Sequence, residues 1–346
     1  MRVSFDGGRL NERGVAVALY DYARYARELL GVEPVILHDV ATPPDPAHVR
    51  HFAQAFPAFG YANEDEWQRL VERERIDTAY QLKTNRLTKV SKSSRTAVHE
   101  VFRFFKPHGD AYGYVSGWLA DEMTGGRYPY VPHIVDLPPP RGDLRAELGL
   151  PKDAFVVGRH GGAETFDAPF APRAVEAALQ RRRDLWFVFL NTRRFCDHER
   201  VVHLPATAER QLIADFIAAC DIGVNARRVG ESFGLAIAEF LSRDKPVLVW
   251  AGGRDRNHLA LVDDPAFVYE GAADLTRLLT QLSPSRDEGG FAAKVAEFAP
   301  RRVMETFERV FLRPGEREFP AAPLGLRQKR KVVERLRRWR DAWRTR

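Results

Sequence analysis

The chain has 346 residues, 45% hydrophobic and 29% charged, a globular composition with enough chain for two domains. No run of about 18 apolar residues occurs, so no segment is expected to span a membrane; the opening MRVSFDGGRLNERG lacks the apolar core of a secretory signal. Two cysteines, Cys196 and Cys220, are too few for a disulfide framework or a zinc cluster, and a reducing cytoplasm is the expected compartment.

The formal charge of +6 is unevenly spread: residues 327–346 hold ten Lys/Arg against two Asp/Glu, and the rest holds 43 against 45. A nearly neutral body argues against a nucleic-acid binder, whose basic patch should lie on the folded part.

Apolar strand-like runs alternate with helical patterns in both halves, which predicts an α/β protein with parallel sheets. The first half opens with a strand at 3–5, then a loop holding Gly7, Gly8 and Gly14. A helix follows with Val15, Leu19, Tyr22, Ala26 and Leu29 on one face. Further strands are expected at 35–37, 76–80, 97–101 and 111–115. The proline-rich segment 128–140 (YPYVPHIVDLPPP) reads as an extended linker, because prolines stop helices and cannot donate to a ladder. A second series follows, with strands at 155–157, 186–190, 201–204, 222–224 and 247–250, and helices at 174–182, 209–219 and 235–241. The expected fold is two Rossmann-like doubly wound domains facing a cleft. The first is residues 1–138 and the second 139–324, with a helix over about 325–346 that either packs back on the first domain or meets an anionic membrane surface. Val332, Leu336 and Trp339, with Val333 and Trp343, lie at helical spacing in that basic tail.

The strand at 222–224 feeds the loop NARRVGESFG and then a helix. The first amides of a helix lack partners and carry partial positive charge, so the turn at Gly234 suits a phosphate. Glu231 beside a phosphate makes sense if it points past it at hydroxyls, and Glu239, two turns on, reaches a second hydroxylated group. Hydroxyls, diphosphate, hydroxyls: the pattern describes a nucleotide sugar. The plain alternative is an ordinary strand–helix turn with two surface glutamates.

The run GESFGLAIAEF followed by Pro246-Val247 resembles the E-x7-E signature of retaining GT-B glycosyltransferases of the family 4 type. The resemblance implies that Glu231 approaches the donor sugar and that Ser232, Phe233, Gly234 and Leu235 line the diphosphate. Glu239 would hold the ribose. VVGRHGG, 156–162, is similar to the family's strand ending in Gly-Arg, which implies a diphosphate contact for Arg159, with Gly161 and Gly162 beside it. The usual following lysine is missing; Arg193, Arg194, Arg227 and Arg228 are the open substitutes. NTRR (Asn191, Thr192) and LPAT (Pro205, Ala206) stand where family loops hold phosphates and base. In the first domain Gly8, Arg13 and Gly14 match the glycine-rich loop, and His99 stands where a histidine nears the donor sugar. The alternative for His99 is a histidine satisfied by a backbone carbonyl; His108, His133 and His160 are lesser candidates.

The implied activity is a retaining, metal-independent glycosyl transfer from a nucleoside-diphosphate sugar to a hydroxyl acceptor, with no cofactor and no nucleic acid. Two other readings stay open: a sugar-nucleotide epimerase on the same fold, and a non-enzymatic polyanion- or lipid-binding protein resting on the tail.

Overall fold

A computed structural model describes residues 1–10, 14–41, 44–83, 87–207, 209–282 and 290–313; Arg13 and the basic tail lie outside these. The chain divides into two compact units, one formed by Met1–Ile134 with residues 298–313, the other by Val135–Glu297.

The first unit is built on six parallel strands: β1 (Arg2–Asp6), β2 (Glu33–Asp39), β3 (Ala58–Tyr61), β4 (Thr78–Lys83), β5 (Arg95–Glu100) and β6 (Ala111–Tyr114), in the order β3-β2-β1-β4-β5-β6. The inner strands β1, β2 and β5 are buried along most of their length, as parallel strands covered on both faces must be. Helices begin where side chains satisfy their first amides. Asp45 accepts from Ala47 at the start of Pro46–Ala55, Asn63 from Glu66 at the start of Glu64–Arg73, and Ser116 from Leu119 at the start of Gly117–Thr124.

The sequence reading assigns residues 139–324 to the second domain, yet residues 298–313 cluster with the first. The reason is aromatic. The helix Pro300–Phe307 and the π turn Glu308–Leu312 insert Phe307 between Phe5 (6.2 Å between ring centres) and Tyr80 (4.9 Å), and Phe311 beside His99 (4.9 Å).

The second unit repeats the plan with β7 (Phe155–Arg159), β8 (Leu185–Leu190), β9 (Val201–Leu204), β10 (Ile222–Asn225), β12 (Val247–Trp250) and β14 (Val268–Tyr269), in the order β14-β12-β10-β7-β8-β9. Winding reverses between β7 and β10, which are hydrogen-bonded neighbours. In such sheets the crevice outside the carboxyl ends at that reversal is where ligands bind. A separate two-residue parallel ladder joins β11 (Gly230–Glu231) to β13 (Asp255–Arg256). Both units are thus Rossmann-like and doubly wound, as expected from the alternation of strand and helix patterns.

Candidate functional site

Three loops of the second unit meet at that reversal. Arg159 is the last residue of β7, and its side chain turns sideways into the loops. Its Nη1 donates to the Asn191 carbonyl (3.1 Å) and to Thr192 Oγ1 (2.6 Å); its Nη2 donates to the Gly162 carbonyl (2.8 Å) and to Thr165 Oγ1. Asn191 Nδ2 returns a bond to the Gly161 carbonyl (2.8 Å), so the loops after β7 and β8 are stapled together. The sequence reading gives this guanidinium to a diphosphate. Here its four terminal N–H bonds go to the protein and the residue is only 4% exposed, a positioning role for which spacing gave no signal. Burial lowers its pKa to about 10, with Glu231 opposing and Arg227 adding to the fall, so it stays a cation near neutrality.

Glu231 is clamped on both oxygens. Arg227 Nη1 donates to Oε2 at 2.7 Å and Asn225 Nδ2 to Oε1 at 3.2 Å. Its backbone N–H donates to His258 Nδ1 at 3.3 Å. Because His258 Nε2 lies 2.9 Å from the Trp250 carbonyl, which only accepts, the partners assign the proton to Nε2. Burial lowers the pKa of His258, so the ring is neutral. Asn225 is itself fixed, since Tyr269 Oη donates to its carbonyl at 2.6 Å. Asn225 and His258 are site residues that sequence reasoning missed. Asn225 ends a strand and was legible by position; His258 comes from Asn257–Val262, with no local signal.

The helix Leu235–Leu241 has the bounds expected from sequence. Gly234 precedes it in the left-handed region (φ 96°), and an added Cβ there would lie 3.5 Å from the Cβ of Glu231. Ser232 and Phe233 are buried, and Asn257 Nδ2 holds the Phe233 carbonyl at 2.5 Å. Glu239 is buried on the inner side of the helix, with Oε2 3.2 Å from His160 Nε2. The contact is made without a hydrogen bond at that nitrogen. Burial, with Arg159 adding to it, pushes His160 down to about 3, so a neutral ring faces the carboxylate. The two glutamates therefore flank one dipeptide, Arg159-His160: Glu231 through its field, Glu239 by contact.

The remaining basic candidates separate by environment. Arg193 pairs with Glu164 at 2.8 Å with both side chains in solvent (75% and 65% exposed), and Arg194 pairs with Asp197 likewise. Arg228 is exposed and contributes its backbone N–H to Asp167 Oδ1 (2.7 Å). Pro205 and Ala206 are exposed just beyond β9, at the edge of the sheet.

In the first unit two assignments need correction. Gly8, expected to offer its amide to a donor phosphate, donates it to Asp6 Oδ1 at 2.7 Å. Asp6 is fully buried and also accepts from Tyr61 Oη (2.9 Å), with Lys89 Nζ 3.6 Å away. His99 is fully buried among Tyr22, His133 and Phe311, with Nδ1 2.8 Å from Tyr80 Oη. Burial holds its pKa well below the usual histidine value. It lies in the core, with a tyrosine hydroxyl rather than a backbone carbonyl at its Nδ1. Gly14 opens the helix Gly14–Leu30. Among the described residues no group of three His, Cys, Asp or Glu is placed to hold a metal, and no helix is long and apolar enough to cross a membrane.

No family model and no curated protein matches the chain. Solved structures do. The Anabaena protein HepE in complex with UDP-glucose superposes with a TM-score of 0.61 at 16% identity, covering 96% of this chain and 99% of that one. A glycosyltransferase from Rickettsia africae ESF-5 gives 0.61 at 12%, covering 96% and 98%. A putative UDP-N-acetylglucosamine 2-epimerase from Listeria monocytogenes gives 0.56 at 12%, covering 92% and 99%. The likeness is one of fold: the chain has the two Rossmann-like units of the GT-B class.

Proposed function

We propose that the chain is a retaining glycosyltransferase, moving a sugar from a nucleoside-diphosphate sugar to a hydroxyl acceptor. The observation that carries this is the clamped carboxylate of Glu231 at the winding reversal of the second unit, with Arg159-His160 and a second carboxylate, Glu239, beside it. A carboxylate fixed on both oxygens still has lone pairs for sugar hydroxyls. In this reading Glu231 meets the donor sugar, Glu239 the ribose, and the amides from Phe233 to Leu235 the diphosphate. Arg159 keeps the loops of Gly161, Gly162, Asn191 and Thr192 in register. Fixed N–H dipoles and guanidinium charge stabilise the leaving diphosphate, so the reading calls on neither a metal nor a cofactor. The leaving oxygen takes the acceptor's proton on the face from which it departs, which preserves the anomeric configuration. The similarity to HepE, whose structure was solved with UDP-glucose, supports a nucleotide sugar as donor. The proposed setting is cytoplasmic, with the basic tail available for an anionic membrane surface.

The likeness to an epimerase keeps one rival in view, because that chemistry also starts from a nucleotide sugar. The two separate cleanly: an epimerase converts the nucleotide sugar with no acceptor present. Thermal shift against a panel of nucleotide sugars identifies the donor, since only a ligand that binds the folded state raises the melting temperature. With that donor, Glu231→Ala is expected to lower turnover roughly 10- to 100-fold, the worth of a charge-assisted hydrogen bond of about 1.5–3 kcal/mol. Unchanged affinity and turnover in that variant would remove Glu231 from the mechanism.

A further inference from the structure

Five arginines stand near the loops after β7, β8 and β10, and the structure ranks them. Arg159 has committed its terminal N–H groups to Asn191, Gly162, Thr165 and Thr192. Arg193, Arg194 and the side chain of Arg228 are largely in solvent, where a paired or free charge gains little. Arg227 differs from all of these. It is 25% exposed, lies in the loop that carries Glu231, and makes one guanidinium hydrogen bond, to Glu231 Oε2 at 2.7 Å. Among the described residues no other bond is made by its guanidinium, which leaves most of its five N–H donors available. It is also close enough for its charge to lower the pKa of Arg159, as Glu231's raises it.

Charge then sets a constraint. A diphosphate brought to this reversal meets the carboxylate of Glu231, and the repulsion is relieved only by a cation that reaches both. We propose that Arg227 is that cation and that it changes partner: it leaves Glu231 Oε2 for the diphosphate oxygens as the ligand binds. The exchange matches guanidinium to phosphate, bidentately, and frees Oε2 to accept hydroxyls of the attached sugar. Asn225 on Oε1 keeps the carboxylate oriented while this happens. Recognition of the sugar thereby becomes conditional on the diphosphate. This rests on the donor-site reading above and adds to it the identity of the phosphate cation and its coupling to Glu231.

The test uses the full chain and sugar-free nucleoside diphosphates (UDP, GDP, ADP, CDP), with affinities from calorimetry. For whichever one binds, Arg227→Gln should weaken binding about tenfold or more, and Arg227→Lys by less, because a point charge remains. Glu231→Gln should do the opposite and tighten the sugar-free diphosphate severalfold, since Arg227 no longer has a competing carboxylate. A merely structural ion pair predicts weakening in both variants. Melting temperatures without ligand check that each variant folds. If wild type binds a nucleoside diphosphate and Arg227→Gln binds it equally well, the partner exchange is wrong and the donor site stands. Weaker binding by Glu231→Gln would overturn the exchange in the same way. If wild type binds none of the four, the donor-site reading falls and this inference with it.

Discussion

At Gly230 the backbone turns through φ 78°, and a Cβ built there would lie 1.8 Å from the Asp255 carbonyl oxygen and 3.0 Å from His258 Cε1. The residue permits two backbones to touch, which is what allows β11 to pair with β13 and His258 to receive the Glu231 amide. Any side chain forces the pair apart and takes Glu231 with it. Gly230→Ala is therefore expected to cost about 3 kcal/mol or more, left-handed strain and overpacking combined. It should also weaken nucleotide-sugar binding, although residue 230 touches no ligand in the proposed site. Thermal unfolding and calorimetry on one preparation check both; a variant with wild-type melting would show that the contact is not as tight as it stands. The same reasoning explains Arg159. Apolar patterning shows which residue ends a strand but not whether its side chain faces a ligand or its own loops.

Elements were legible where burial writes itself into the chain. The strands at 201–204 and 247–250 and the helix at 235–241 are found at their expected bounds; the strand at 247–250, buried at every position, shows most plainly how a covered element reads as an unbroken apolar run. Short elements were not: β3 is four residues with Gly60 inside it, and β13 and β14 are two residues each. Partnership was invisible in a different way. The helix Pro300–Phe307 buries Val303, Met304 and Phe307, yet periodicity tells which face is buried and not against what. Its partners are Phe5, Tyr22 and Tyr80, more than 200 residues earlier in the chain, which is why a boundary drawn along the sequence kept it with the wrong unit. That packing makes a prediction at the level of the element. Phe307→Ala should destabilise the first unit by about 3–5 kcal/mol. Measured by hydrogen exchange, the loss of protection should appear in β1 and β4, and leave β7 and β10 near their wild-type rates. Equal loss in both sheets would mean that the segment supports the chain as a whole.

In the two units, three largely buried histidines share one electrostatic signature. Burial lowers His133 and His160 to about 3, and holds His99 well below its ordinary value. In the folded chain His133 and His160 are neutral at any pH above about 5, and burial favours the neutral form of His99 in the same direction. In the unfolded chain they titrate near 6.5. Below that value the unfolded state binds more protons than the folded one, so stability must fall as pH falls, from about 6.5 down toward 3. Each histidine contributes up to about 1.4 kcal/mol per pH unit once the unfolded chain is fully protonated. Carboxylates with lowered pKa, Asp184 beside Arg182 and Asp215 under the Arg141 and Gly142 amides, act in the same direction but only below about 4, so the window between about 6.5 and 4.5 belongs to histidine. Urea midpoints measured across that window should drop steadily, and His133→Gln should reduce the slope by about one proton while leaving the carboxylate region unchanged. A midpoint that stays level from pH 7 to pH 5 would mean that the buried rings already carry their protons, and the neutral His160 beside Glu239 would go with them.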